Sequence, residues 1–111
     1  MVNYIENDIG RTFAALTDPN RRAMLLRLEE NRAVTVSELA APLPIKLPAV
    51  MKHLDVLEGA GLISRAKEGR TVTVHLTPQP MEEAMLWLRK YEHFWSKSLD
   101  RLVEFVEGEE K

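Results

Sequence analysis

Three prolines, Pro42, Pro44 and Pro48, fall within seven residues and leave the middle of the chain few ways to fold. Proline lacks a backbone N–H, and its ring disfavours helix in the residue before it. Pro42 and Pro44 therefore stop a helix arriving through Glu38, and Pro44 restrains Leu43, so that LPIK becomes a turn between two helices. The helix after the turn starts at Leu47 and is ended by Gly59 and Gly61. Its Leu47, Val50, Leu54 and Leu57 share one stripe, whereas Pro48, Ala49, Lys52, His53 and Val56 lie mostly elsewhere. A short helix with Lys52 and His53 on its uncovered side invites the question of what that side meets.

The flanking segments supply the rest of an architecture. Val2, Ile5, Ile9, Phe13 and Leu16 recur in steps of three and four, which marks a first helix. In TDPNRRAMLLRLEEN, Asp18 is a good N-cap and Pro19 suits the first helical position, so a second helix runs through Ala23, Met24, Leu26 and Leu28 to about Asn31. RAVTV is a short extended piece. Thr35 and Glu38 have the spacing of a capping box and open a third helix, about Val36 to Ala41. After the fourth helix, Ile63, Arg65 and Lys67 alternate, then Val72, Val74 and Leu76, with a Glu68-Gly69 turn signal between, which predicts a β-hairpin. The last apolar stripe runs from Met81 through Ala84, Met85, Leu88, Tyr91, Trp95, Leu99 and Leu102 to Val106. As one helix over about 80–107 it would reach about 40 Å at 1.5 Å per residue. That exceeds the size of the domain itself, so a second copy of the chain is expected to cover it.

Composition removes several classes of function. The chain has no cysteine, which excludes disulfides, thiolate metal sites and thiol catalysis. No glycine-rich phosphate loop and no Ser/His/Asp order stands out, so an enzyme is not expected. MVNYIENDIG lacks the order of a signal peptide, and no apolar run approaches the roughly 18 residues of a membrane span, so the expected location is the cytoplasm. The net charge of −2 speaks mildly against nucleic acid. Its distribution does not: residues 1–40 carry five basic and six acidic side chains, residues 77–111 five and eight, but residues 41–76 five and only three. A polyanion needs a local positive face, and the middle third provides one.

The predicted fold is mainly α with a small β-hairpin: a winged helix-turn-helix of order ααααββα. It is expected as a single domain over 1–111, with the helix-turn-helix at about 35–60, the wing at about 62–77 and a dimerisation helix at about 80–107. In such proteins the second helix of the motif enters the major groove, N-terminal part first. FAALTDPNRRAMLLRL, VTVSELA, LPAVMKHLDVLEGAGLISRAKEGRTVTVHLTP and WLRKYEHFWSKSLDRL together resemble the arsenical-repressor (ArsR) family of bacterial winged-helix regulators, over roughly Ile5 to Val106. The resemblance implies a sequence-specific DNA-binding transcriptional regulator, a repressor, paired as a homodimer through its first and last helices. The interface residues would be Ile5, Ile9, Phe13, Leu88, Tyr91, Trp95, Leu99 and Leu102.

The family's recognition helix carries an S-K-H-L-like segment, here Met51-Lys52-His53-Leu54, with methionine in place of serine; Lys46 stands where many relatives have a serine cap. The expected DNA contacts are Lys46, Pro48, Ala49, Lys52 and His53 on this helix and Arg65, Lys67 and Arg70 on the wing. Lys52 would meet phosphate, His53 phosphate or a base edge, and Arg70 is the leading wing contact. Arg21 and Arg22 either touch phosphate or serve the surface. The family's metal sensors carry an E-L-C segment, here Glu38-Leu39-Ala40, and His93 has no second histidine near it, so no metal and no cofactor are expected. Double-stranded DNA bearing a near-palindromic site is the expected partner. Two other readings stay open: a winged-helix interaction module that does not touch DNA, and a ligand-responsive regulator whose Trp87, Tyr91, Phe94 and Trp95 line a small-molecule pocket.

Overall fold

The computed structural model describes residues 4–109, with side chains from Ile9 to Gly108. The elements in order are α1 (Tyr4–Ala15), α2 (Pro19–Asn31), β1 (Ala33–Thr35), α3 (Val36–Ala40), α4 (Leu47–Gly59), β2 (Ile63–Glu68), β3 (Thr71–Leu76), α5 (Gln79–Arg89) and α6 (Glu92–Glu109). None of these helices is long and apolar enough to cross a membrane. The chain divides into two compact units, Met1–Met81 and Glu82–Lys111.

In the first unit, local sequence sets the helix ends. The Asp18 carboxylate accepts the backbone N–H groups of Asn20 at 2.8 Å and Arg21 at 3.3 Å, satisfying donors that a helix start leaves open. Thr35 Oγ1 accepts the Glu38 N–H at 3.1 Å and gives its own proton to the Glu38 carboxylate at 2.9 Å. The carboxylate thus closes the cap on the threonine hydroxyl instead of the backbone amide of a full capping box. At the end of α4, Leu62 N–H reaches Leu57 O at 3.0 Å and Gly61 N–H reaches Glu58 O at 2.9 Å. This paired closure needs a left-handed residue, and Gly61 supplies it at φ 75°. The end of α2 makes the same demand of an arginine: Arg32 takes φ 63°, donates to Leu28 O and accepts the Leu76 N–H at 3.2 Å.

These ends aim the apolar faces inward. Met24, Leu28, Leu39, Val50, Leu54, Leu57, Leu62 and Val74 are all essentially inaccessible to solvent and pack in one cluster with Ala15, Leu25, Val34 and Ile63. Burying one such side chain contributes about 1.5–3 kcal/mol, which lets elements as short as α3 stand. The stripes expected from spacing shift in two places. Leu25, not Leu26, is the inward leucine of α2, and Leu47 is 57% exposed at the start of α4.

The sheet has three strands in the order β1-β3-β2, all antiparallel. The extended piece before α3 is thus a true edge strand, with Val34 opposite Val74. The wing pairs Ile63 with Leu76 and Glu68 with Thr71, leaving Gly69 and Arg70 as its two-residue turn. Gly69 takes φ 61°, the positive value that the first central residue of a tight hairpin turn requires.

The single C-terminal helix expected over 80–107 is two helices. Lys90 N–H turns back to Trp87 O at 3.2 Å and Tyr91 N–H to Leu88 O at 3.0 Å, tighter three-residue closures that end α5. The stripe continues on α6 without a break in spacing, and the 40 Å span does not exist as one rod. In the second unit Ala84 is buried. Met85, Leu88, Tyr91, Phe94, Trp95, Leu99, Leu102, Phe105 and Val106 are each more than 40% exposed. Trp87 tilts against Tyr91 at 5.3 Å between ring centres, and Phe94 meets Trp95 edge-on at 5.4 Å.

Candidate nucleic-acid interface

The turn through Pro42 and Pro44 delivers α4 with its start facing out. Lys46 is extended (φ −80°, ψ 157°) and its carbonyl accepts the N–H groups of Ala49 and Val50, so the helix begins one residue later. Because Val50, Leu54 and Leu57 must face the core, the opposite side carries Pro48 and Lys52 into solvent, with Ala49 half-buried at its margin. Lys46 is exposed beside them. On the wing, Lys67 and Arg70 are exposed as well. An open concavity of about 400 Å³ separates the wing from the neighbouring Leu47 and Met51 side of α4; it is lined by those two residues, by Thr35 and Ser37 at the α3 start, and by Arg70 and Val72 of the wing.

Two expected contacts are placed differently. His53 is not on the open side; its side chain is only 18% exposed because it turns toward the start of α2. Arg21 Nη1 lies 3.1 Å from His53 Nδ1. A guanidinium can only donate, so Nδ1 is the acceptor in this contact and the other ring nitrogen, Nε2, is turned toward Asp18. That nitrogen stands 3.9 Å from Asp18 Oδ1, beyond hydrogen-bond distance. Arg21 also donates through Nε to Ala15 O at 2.7 Å and through Nη2 to Thr17 Oγ1 at 3.3 Å. Arg22 donates to Leu16 O at 2.6 Å. Both arginines hold the α1–α2 corner, and Arg21 anchors α4 to it through His53.

Arg65 is likewise not a free cation. It folds from β2 onto α4, where Nη2 reaches Asp55 Oδ1 at 2.8 Å and Glu58 Oε1 at 3.0 Å, and Nε reaches Glu58 Oε2 at 3.2 Å. The hydrogen bond from Arg65 is the main reason the Glu58 carboxyl sits below its ordinary range, and the same contacts raise Arg65 further. Outside this cluster the middle third keeps Lys46, Lys52, Lys67 and Arg70 against Glu68 alone.

The dimer residues also divide. Leu88, Tyr91, Trp95, Leu99 and Leu102 are 44–59% exposed, whereas Ile9 is 6% exposed and has little area to offer a partner. Phe13 is half-buried, and the Ile5 side chain lies outside the described residues. Among the described residues no three of His, Asp and Glu gather as a metal-holding group. Sequence reasoning missed Asp55 and Glu58 as partners of Arg65; their spacing of three on one helix face was the available signal.

A helix-turn-helix followed by a basic-tipped hairpin, with the second helix of the motif exposing its start, defines the class of winged helix-turn-helix regulators. Residues 16–66 match a helix-turn-helix domain family. The HTH-type transcriptional regulator Rv2034 of Mycobacterium tuberculosis is 32% identical over 99 residues, which is 89% of each chain. The transcriptional repressor SdpR of Bacillus subtilis is 25% identical over 75% of this chain and 91% of its own. The crystal structure of an ArsR family transcriptional regulator superposes with a TM-score of 0.76 at 38% identity, covering 86% of this chain and 97% of that one. The chain belongs to the ArsR family of winged helix-turn-helix transcriptional regulators, and these relatives are regulators by name, not enzymes.

Proposed function

We propose that the chain acts in the cytoplasm as a homodimeric repressor that binds a near-palindromic DNA site, with the start of α4 in the major groove and the wing turn on the flanking backbone. The observation that carries this is the set of open cations: Lys46 and Lys52 at the start of α4 and Lys67 and Arg70 on the wing all stand in solvent, while Asp55 and Glu58 of α4 are already paired with Arg65. The major groove is about 12 Å wide and admits one helix. Lys52, Arg70, Lys46 and Lys67 would neutralise phosphates, while Pro48 and Ala49 bring the helix close to base edges. The second copy would cover Leu88, Tyr91, Trp95, Leu99 and Leu102, and the two α4 helices would meet half-sites about 10 bp apart. Repression is favoured by the similarity to SdpR, a repressor by name.

The test is a titration of the duplex upstream of the chain's own gene at several salt concentrations. Each lost phosphate contact lowers the slope of log K on log salt by about 0.9. Lys52→Ala and Arg70→Ala should each lower it by that amount and weaken binding. Unchanged affinity and slope in both would refute the docking. A folded wild-type protein with no binding at low salt would be an interaction module instead.

A further inference from the structure

The wing's first strand carries an arginine that the fold spends on the recognition helix. We infer that Arg65 is a positioning residue, which fixes the wing against α4 through Asp55 and Glu58 so that Arg70 lies where a phosphate arrives. The inference rests on the DNA-binding reading above.

The geometry is that of a fork, not of a chance surface pair. Nε and Nη2 take the two oxygens of Glu58 while Nη2 also takes Asp55, and the Arg65 side chain is only 20% exposed. Isolated surface ion pairs hold little, but a planar guanidinium meeting two carboxylates one helical turn apart fixes orientation as well as distance. On the strand, Arg65 lies opposite Val74, which is fully buried, so the clamp sits at the base of the hairpin where it joins the core. Arg70 stands across the turn from Gly69, four strand steps beyond Arg65 and thus roughly 13 Å away at about 3.3 Å per residue. Over that lever a tilt of about 10° moves the tip by about 2 Å, more than the distance range within which a hydrogen bond to phosphate survives. The clamp has a second consequence: Asp55 and Glu58 face outward on α4, 67% and 43% exposed, and Arg65 offsets the charge they would turn toward phosphate.

A direct phosphate contact and a positioning role differ in their response to Arg65→Lys and in additivity. Arg65→Lys keeps the charge but cannot form the fork. As a positioning residue it should weaken binding about fivefold to tenfold, the order of one lost phosphate contact, and the loss should vanish in an Arg70→Ala background because both changes remove the same contact. If Arg65 instead touches phosphate, Arg65→Lys leaves affinity nearly intact and Arg65→Gln adds fully to Arg70→Ala. Either of these results overturns the inference. Circular dichroism melts check that each variant is folded. Salt-dependent binding lost on Lys52→Ala keeps the DNA-binding reading in place whichever way Arg65 falls.

Discussion

From Ile9 to Met81 the large apolar side chains are mostly inside, with Leu26, Leu47 and Val56 the main exceptions, whereas from Met85 to Val106 they are mostly outside. The spacing is the same in both regions. Val50, Leu54 and Leu57 recur by threes and fours on α4, and so do Trp95, Leu99, Leu102 and Val106 on α6. The first set is fully buried and the second is 47–59% exposed. Amphipathic periodicity thus announces that a face will be covered, and it is silent on whether the cover comes from the same chain. In α4 the cover is α1, α2 and the wing strand; for α6 a second copy is proposed.

The contrast can be broken at either end. Leu54→Ala empties a fully buried site, and the loss should be about 2–5 kcal/mol, read by urea or thermal unfolding against wild type. Because the partners of Leu54 lie within the chain, that loss should be the same at low and high protein concentration. A loss below 1 kcal/mol would mean that the centre of the first unit is not packed as described. Leu99→Glu places a charge on the open stripe of α6 and should act the other way. In sedimentation the wild type should run at twice the chain mass of 12.7 kDa and the variant at 12.7 kDa, while helix content is retained. A wild type of single-chain mass at every concentration, or a variant that still pairs, would remove the homodimer from the proposal.

The same physics explains what could be read in advance. Elements whose causes are local were legible: the Asp18 cap, the proline turn, the Gly61 stop, the alternation of Val72 and Val74. So was the open side of α4 at Pro48 and Lys52, since it is simply the complement of Val50, Leu54 and Leu57. Long-range pairings were not. Nothing near Ala33 says that this short extended piece will edge a sheet against residues forty positions later. Nor does anything near Arg65 say that its charge is taken by a helix it follows. His53 looked free for the same reason, because Arg21 approaches it from thirty-two residues away. The division between α5 and α6 carries no proline or glycine at Lys90 and Tyr91, so no breaker announced it.

The smallest effect expected belongs to the corner that holds α4 in place. Removal from water raises the Asp18 carboxyl, but the N–H groups of Asn20 and Arg21, with the positive Arg21 guanidinium nearby, outweigh that and hold it below its ordinary range. A carboxyl depressed in the folded state stabilises the fold above its unfolded value near 3.9, and that contribution is lost as pH falls through the folded value. Asp18→Asn keeps an oxygen for the helix cap, since asparagine caps nearly as well, and removes only the charge. The variant should therefore melt slightly below wild type at pH 7 and pH 5, and the two should converge as pH drops from about 4 to 3. Glu58, lowered chiefly by its bond from Arg65, adds an acid-labile contribution of the same sign that both proteins share. A gap that stays constant down to pH 3 would show that the Asp18 charge contributes nothing and that the corner is held by the neutral bonds of Arg21 to Ala15 and His53.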